Sequence, residues 1–154
     1  MSYVFDTGPL SGMFKHYNRK VFETLWNRFD QLIAGGEIVS CKEVHRELED
    51  FGHADEWLRG NRAICHDPTV AEALFIREIF AVSHFQQSID RKKLLNGGKI
   101  ADPFVVAKAR HEKRTVVTTE KYENNAAKIP NICTHFGVYC LSFDEFMIAQ
   151  GWKF

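Results

Sequence analysis

No apolar run in these 154 residues approaches the roughly 18 residues that a membrane-spanning helix requires. The start of the chain is equally poor in the marks of an export signal, because Met1-Ser2-Tyr3-Val4-Phe5 meets the carboxylate of Asp6 before any long apolar stretch develops. Neither charge is in excess: Lys and Arg number 20, and Asp and Glu number 20. That balance argues against a protein that grips nucleic acid by overall charge, while leaving room for a local basic patch. Cysteine is scarce, and Cys41, Cys65, Cys133 and Cys140 form no Cys-x-x-Cys pair. They read as reduced thiols of a cytosolic chain, and a zinc site gathered from Cys65, His66, Cys133, His135 and Cys140 is disfavoured by that spacing. No Gly-x-Ser-x-Gly elbow, Walker loop or dinucleotide-binding glycine loop occurs, which removes the commonest hydrolase and nucleotide-binding signatures.

What is present is the composition of an ordinary folded domain. Apolar residues make up 45% and charged residues 26%, so disorder is excluded. The length suits one domain spanning 1–154. Tyr3 to Phe5 reads as a strand halted by the turn residues Asp6-Thr7-Gly8-Pro9. Val21, Phe22, Leu25, Trp26, Phe29, Leu32 and Ile33 recur at helical spacing until Gly35-Gly36. Ile38-Val39 marks a second strand, after which Ser40 is expected to cap a helix carrying Val44 and Leu48. A short helix surrounds Trp57 and Leu58. Thr69 and Glu72 stand in capping-box register ahead of an apolar face of Leu74, Phe75, Ile76, Ile79, Phe80 and Val82. Asn96-Gly97-Gly98 closes this helical middle. Asp102-Pro103 opens a helix, Thr115 to Thr119 is β-branched enough for a buried strand, and a loop runs through Asn124, Asn125 and Pro130. Val138 to Leu141 is a further strand, and Ser142 caps a last helix. Alternating strands and helices predict an α/β three-layer sandwich around a mainly parallel central sheet of about four strands.

Four acids fall where such a sheet would collect them. Ligands of open α/β sheets bind beyond the carboxyl ends of the strands. Asp6 follows the first strand, Glu120 follows the Thr115–Thr119 strand, Asp102 begins the helix leading into that strand, and Glu47 sits on the helix after the second strand. Each has an ordinary alternative: Asp102 as an N-cap, Glu47 as helix surface, Glu120 as the start of a loop. Brought together, they would oppose one another's ionisation unless a cation joined them. An all-oxygen set calls for a hard divalent ion, Mg²⁺ or Mn²⁺.

The chain resembles the PIN-domain superfamily, the metal-dependent ribonucleases that include VapC-type toxins. The resemblance rests on Val4-Phe5-Asp6-Thr7, Val44-x-x-Glu47-Leu48, Ala101-Asp102-Pro103-Phe104-Val105-Val106-Ala107 and Val116-Val117-Thr118-Thr119-Glu120, in that order. The helical middle and Lys128-Ile129-Pro130-Asn131-Ile132-Cys133 look like a largely uncharacterised bacterial PIN-like family. The likeness implies that Asp6, Glu47 and Asp102 are the core catalytic acids and metal ligands, with Glu120 at a fourth position that is usually Asp. It implies Thr7 and Thr118 as hydroxyl supports of the site. Gly8 departs from the pattern, standing where many members carry Asn or Ser.

The implied activity is endoribonuclease cleavage of RNA with one or two Mg²⁺ or Mn²⁺ ions. The implied setting is a toxin with a cognate antitoxin, cytoplasmic and away from membranes, with a homodimer allowed. With four of the 20 acids committed to metal, basic groups would exceed the remaining acids by four. Lys42, Lys99, Lys121 and Lys128 are candidate phosphate contacts, joined by the run Arg91-Lys92-Lys93, which reads more readily as a solvated helix face. Tyr122, His84 and Phe85 are candidates for stacking on bases, with Phe85 better suited to the core. Two rivals are weighed. Asp6-Thr7-Gly8 spells the aspartic-protease triplet, but no second copy occurs and the chain is too helical. A non-catalytic PIN-like protein that binds RNA or a protein partner is the stronger alternative.

Overall fold

The computed structural model describes Met1–Phe154. Five strands form one sheet in the order β3-β2-β1-β4-β5, every neighbouring pair parallel. They are β1 (Tyr3–Phe5), β2 (Ile38–Cys41), β3 (Cys65–His66), β4 (Thr115–Val117) and β5 (Cys140–Leu141). The sheet thus has one strand more than expected, and it is wholly parallel. The extra member, β3, is two residues long and half-buried at the edge, too short and too polar to leave a periodic signal. β1 lies at the centre, with Val4 opposite Val39 on one side and Val116 on the other. Strands covered on both faces read as continuous apolar runs, which is why β1, β2 and β4 were legible.

Nine α-helices flank the sheet: α1 (Thr7–His16), α2 (Glu23–Ala34), α3 (Lys42–Leu48), α4 (Asp55–Gly60), α5 (Val70–Ala81), α6 (Ser83–Leu95), α7 (Asp102–Glu112), α8 (Ile129–Phe136) and α9 (Phe143–Ala149). The result is a three-layer α/β sandwich. On one face, Tyr3 and Phe5, two residues apart and therefore pointing the same way, meet Phe146 of α9 edge-on at 4.8 and 5.0 Å. Phe29 of α2 joins them at 5.4 Å from Phe5. On the other face α7 packs across β1, β2 and β4 and is itself overlaid by α5 and α8. Enclosed on two sides, α7 buries Val105, Val106, Ala107 and Ala109 together with Lys108.

Several local expectations change. Asp6 to Pro9 is no turn: α1 begins at Thr7, with Pro9 in its first turn, where a missing N–H costs nothing. Ser40 does not cap α3. It is buried in β2, and its hydroxyl donates to the Phe5 carbonyl oxygen at 2.7 Å, while Cys41 occupies the cap. Leu74 is exposed rather than part of the α5 face. The strand expected through Thr119 ends at Val117, and the loop expected through Pro130 gives way to α8, again with proline in the first turn. The capping boxes at Thr69–Glu72 and Ser142–Glu145 both form. No helix is long and apolar enough to cross a membrane.

Candidate active site

All five parallel strands point their carboxyl ends to one edge, and the chain leaves that edge into helices whose N-termini face it. Asp6 is the first residue beyond β1 and directly precedes α1. Glu47 lies on α3, which follows β2 without a loop. Asp102 opens α7, which runs back to β4. Glu120 lies three residues beyond Val117. The four acids of the sequence reading therefore come from four segments to one edge.

Their interactions define a cluster. Asp6 is buried, and Thr118 donates its hydroxyl to Asp6 Oδ2 at 2.9 Å. Thr7 donates its hydroxyl to Glu47 Oε1, which joins the start of α1 to α3. Thr118 also accepts the backbone N–H of Glu120 at 3.1 Å, so one hydroxyl positions two acids. Burial, followed by the charges of Asp102 and Glu120, pushes the Asp6 carboxyl up to about 8, against the pull of the Thr7 backbone and the Thr118 hydroxyl. Glu47 is raised by burial and then by Asp102, although the Thr7 hydroxyl opposes the shift. Glu120 is raised by burial and again by Asp102. Asp102 is thus the common neighbour of the other three.

Asp102 also settles one of the ordinary alternatives. The cap of α7 is Ala101, and no side chain caps that end. The Asp102 carboxylate instead accepts from Lys92 Nζ at 2.8 Å. Lys92 lies 3.7 Å from Glu120 Oε1 as well, with 29% of its side chain exposed. Its ammonium is raised above the ordinary lysine range, since Asp102 and Glu120 outweigh the opposing effect of burial. The Arg91-Lys92-Lys93 run is therefore not a uniformly solvated face. The missed signal was spacing: Phe85 and Ile89 of α6 are buried, and Lys92 continues their inward stripe.

Glu120 has a second attachment. Its Oε2 accepts the backbone N–H of Ile129 at 2.7 Å, at an end of α8 that no cap side chain serves. The reach of a glutamate, one methylene beyond aspartate, spans from β4 to α8. Gly8 is explained by close approach, since a methyl group there would stand 2.1 Å from Thr119 Oγ1.

The candidate phosphate contacts are mostly engaged. Lys42 pairs with Asp67 at 3.2 Å, Lys99 with Asp50 at 2.8 Å and Lys128 with Glu123 at 2.6 Å. Lys121 has no ion pair within 4 Å. Phe85 is buried, as its apolar character suggested, and Tyr122 is exposed. The four cysteines are free thiols, and the disfavoured zinc set does not assemble. A cavity of about 700 Å³ between Phe14, Tyr17, Trp26 and Trp57 is lined by none of the four acids.

The donor set suits Mg²⁺ or Mn²⁺ by chemistry, being entirely carboxylate oxygen. Four acids share this edge with one lysine, and burial first, then the charges of Asp102 and Glu120, raise the Asp6 carboxyl. In this conformation no three of the His, Cys, Asp and Glu side chains close on a common point, and Lys92 stands beside two of them.

A family model described as a domain of unknown function (DUF4411) matches residues 3–154. The chain belongs to that family. A comparison with curated proteins finds no match. Among solved structures, the DUF4411 chain is similar to VapBC2 from Rickettsia felis, crystallised bound to a DNA fragment from their promoter. The two are 16% identical with a TM-score of 0.51, over 94% of this chain and 100% of the other. At that identity the likeness concerns the fold.

Proposed function

We propose that this DUF4411 chain is a PIN-like, Mg²⁺- or Mn²⁺-dependent endoribonuclease and the toxin of a toxin–antitoxin pair. The observation that carries the reading is the shared position of Asp102, close enough to Asp6, Glu47 and Glu120 to oppose the ionisation of all three. Buried (Asp6, Asp102) and half-buried (Glu47, Glu120) carboxylates from distant segments, facing one another with a single lysine among them, are poor devices for stability and good ones for holding a divalent ion. A bound ion supplies charge screening of a phosphodiester and a water of lowered pKa. Asp6, Glu47 and Asp102 hold it, Thr118 and Thr7 orient Asp6 and Glu47, and Glu120 flanks them. Lys121 is free of an ion pair to contact phosphate, and Lys42, Lys99 and Lys128 would exchange their acid partners for phosphate, conferring salt dependence without reading sequence. The similarity to VapBC2 supports an antitoxin partner in general terms, and an arginine inserted among the acids would silence the site.

The test is cleavage of structured RNA by the purified protein with Mg²⁺, Mn²⁺ or EDTA, scored for 5′-phosphate ends. Cleavage in either metal that EDTA abolishes and Asp6→Ala reduces by at least 100-fold is expected; unchanged cleavage by Asp6→Ala rejects the assignment. One observation favours a second reading, a non-catalytic PIN-like protein that binds RNA or a protein partner: Lys92 already neutralises part of the acidic edge. Calorimetric titration with Mn²⁺ separates the two, because a binding protein would take up no ion at the acids.

A further inference from the structure

Lys92 divides the acidic edge into two unequal halves. Its ammonium engages one oxygen of Asp102, Oδ2 at 2.8 Å, and lies 3.7 Å from Oε1 of Glu120. Asp6 and Glu47 are not among its partners; they are held by Thr118 and Thr7. Lys92 is also well anchored. Phe85 and Ile89, on the same face of α6, are 5% and 1% exposed, so the helix presents the ammonium from a packed base rather than from a mobile surface. Glu120 is similarly constrained, with Oε2 committed to the Ile129 N–H at 2.7 Å and its own N–H to Thr118.

A nuclease site with two ions places them about 3.5–4 Å apart, one for the attacking and one for the leaving oxygen. The acids available to an outer ion here are Asp102 and Glu120, and both already face a covalently tethered cation. An incoming Mg²⁺ there would have to shed water, which it does reluctantly, and displace an ammonium that the fold holds in place. It would also find one oxygen of Glu120 in use at the end of α8. On the Asp6–Glu47 side no lysine or arginine is paired with either acid, and Lys92 engages Asp102 only through Oδ2, which leaves Oδ1 of Asp102 outside that contact.

We infer that Lys92 stands in for the second ion, so that the chain binds a single divalent cation through Asp6, Glu47 and Asp102 while the ammonium supplies the outer positive charge. This rests on the metal-dependent reading above and decides how many ions that reading requires. Lys92 is then a positioning residue for Asp102 and Glu120, and Glu120 is a structural tie rather than a ligand.

The number of Mn²⁺ ions bound, measured by calorimetry and by electron paramagnetic resonance without any RNA, tests the inference. The wild-type chain should bind one ion, Lys92→Arg one, and Lys92→Met two, the second at the vacated outer position. Two ions in the wild type, or one in a folded Lys92→Met, would overturn the inference and leave the metal reading standing. No ion in any of the three proteins would sink the metal reading and the inference together. Removing Lys92 leaves Asp102 and Glu120 facing each other, so Glu120→Gln provides a second measurement that keeps the ammonium in place. With Glu120 outside the ligand set, that variant should still bind one ion with affinity within about threefold of wild type, whereas a loss of tenfold or more identifies Glu120 as a ligand and overturns the inference.

Discussion

The hydroxyl of Thr118 donates to the carboxylate of Asp6 at 2.9 Å across 112 residues of chain, inside the protein. The same oxygen accepts the N–H of Glu120, so one small side chain beyond β4 ties the acid after β1 to the acid after β4.

Thr118→Val keeps the shape and removes both roles. The variant should lose about 1 kcal/mol of stability in urea titrations, the usual net worth of a hydrogen bond. It should also bind Mn²⁺ about 10- to 100-fold more weakly, the usual cost of losing a group that orients a metal ligand. Unaltered affinity would mean that Asp6 is oriented by its helix alone.

Stability of the metal-free protein should depend on pH through Asp6. Its carboxyl titrates at about 8 in the fold, against 3.8 for an ordinary aspartate. The folded chain therefore keeps a proton that the unfolded chain releases. This contribution is complete below about pH 4, declines as pH rises and is gone above about pH 8. Each unit of displacement is worth about 1.4 kcal/mol, so Tm in EDTA should fall between pH 5 and pH 8.5, and Asp6→Asn should flatten that fall. Parallel Tm profiles for the two proteins would contradict the placement of Asp6.

Gly8→Ala should destabilise the fold by about 1–3 kcal/mol, the range for forcing a methyl group into a filled space. The new carbon would stand 2.1 Å from Thr119 Oγ1 and 3.2 Å from Thr119 Cβ. Adding Thr119→Ala removes the nearer obstacle and should recover much of the loss in guanidinium titrations. Failure to recover would place the conflict in the backbone instead.

Behind the site, Lys108 is 3% exposed, with Glu112 at 2.6 Å and Glu72 at 3.8 Å. Lys108→Met should cost about 3–5 kcal/mol, because it strands the Glu72 carboxylate in the interior and takes a partner from the half-buried Glu112. Glu72→Gln introduced with it should restore part of that stability, as read from the denaturation midpoint at constant slope.

How much of this was legible follows from what each residue reports locally. Val4, Val39 and Val116 advertise buried strands because both faces of a parallel sheet are covered. Asp6, Glu47, Asp102 and Glu120 could be picked out because an acid at a strand end or at the start of a helix has a definite place in such a fold. Helices α1 and α8 stayed hidden for a shared reason. Pro9 and Pro130 resemble turn residues, and the first turn of a helix tolerates them equally well. Lys92 was misjudged because side-chain charge was read without the register of the surrounding helix. Its buried neighbour one turn away, Ile89, turns it inward, and Val105 stands in the same relation to Lys108, on which the sequence offered no reading.

The central strand β1 is made first yet finds its partners late, at Ile38 and Val39 in β2 and at Thr115 to Val117 in β4. A nascent chain stalled near residue 100 on a ribosome would carry Asp6 and Glu47 without Asp102, Thr118 or the strand that flanks β1. The order of synthesis therefore sets the order of assembly: an incomplete polypeptide has no assembled acidic edge, which waits until Glu120 and about four-fifths of the chain have emerged.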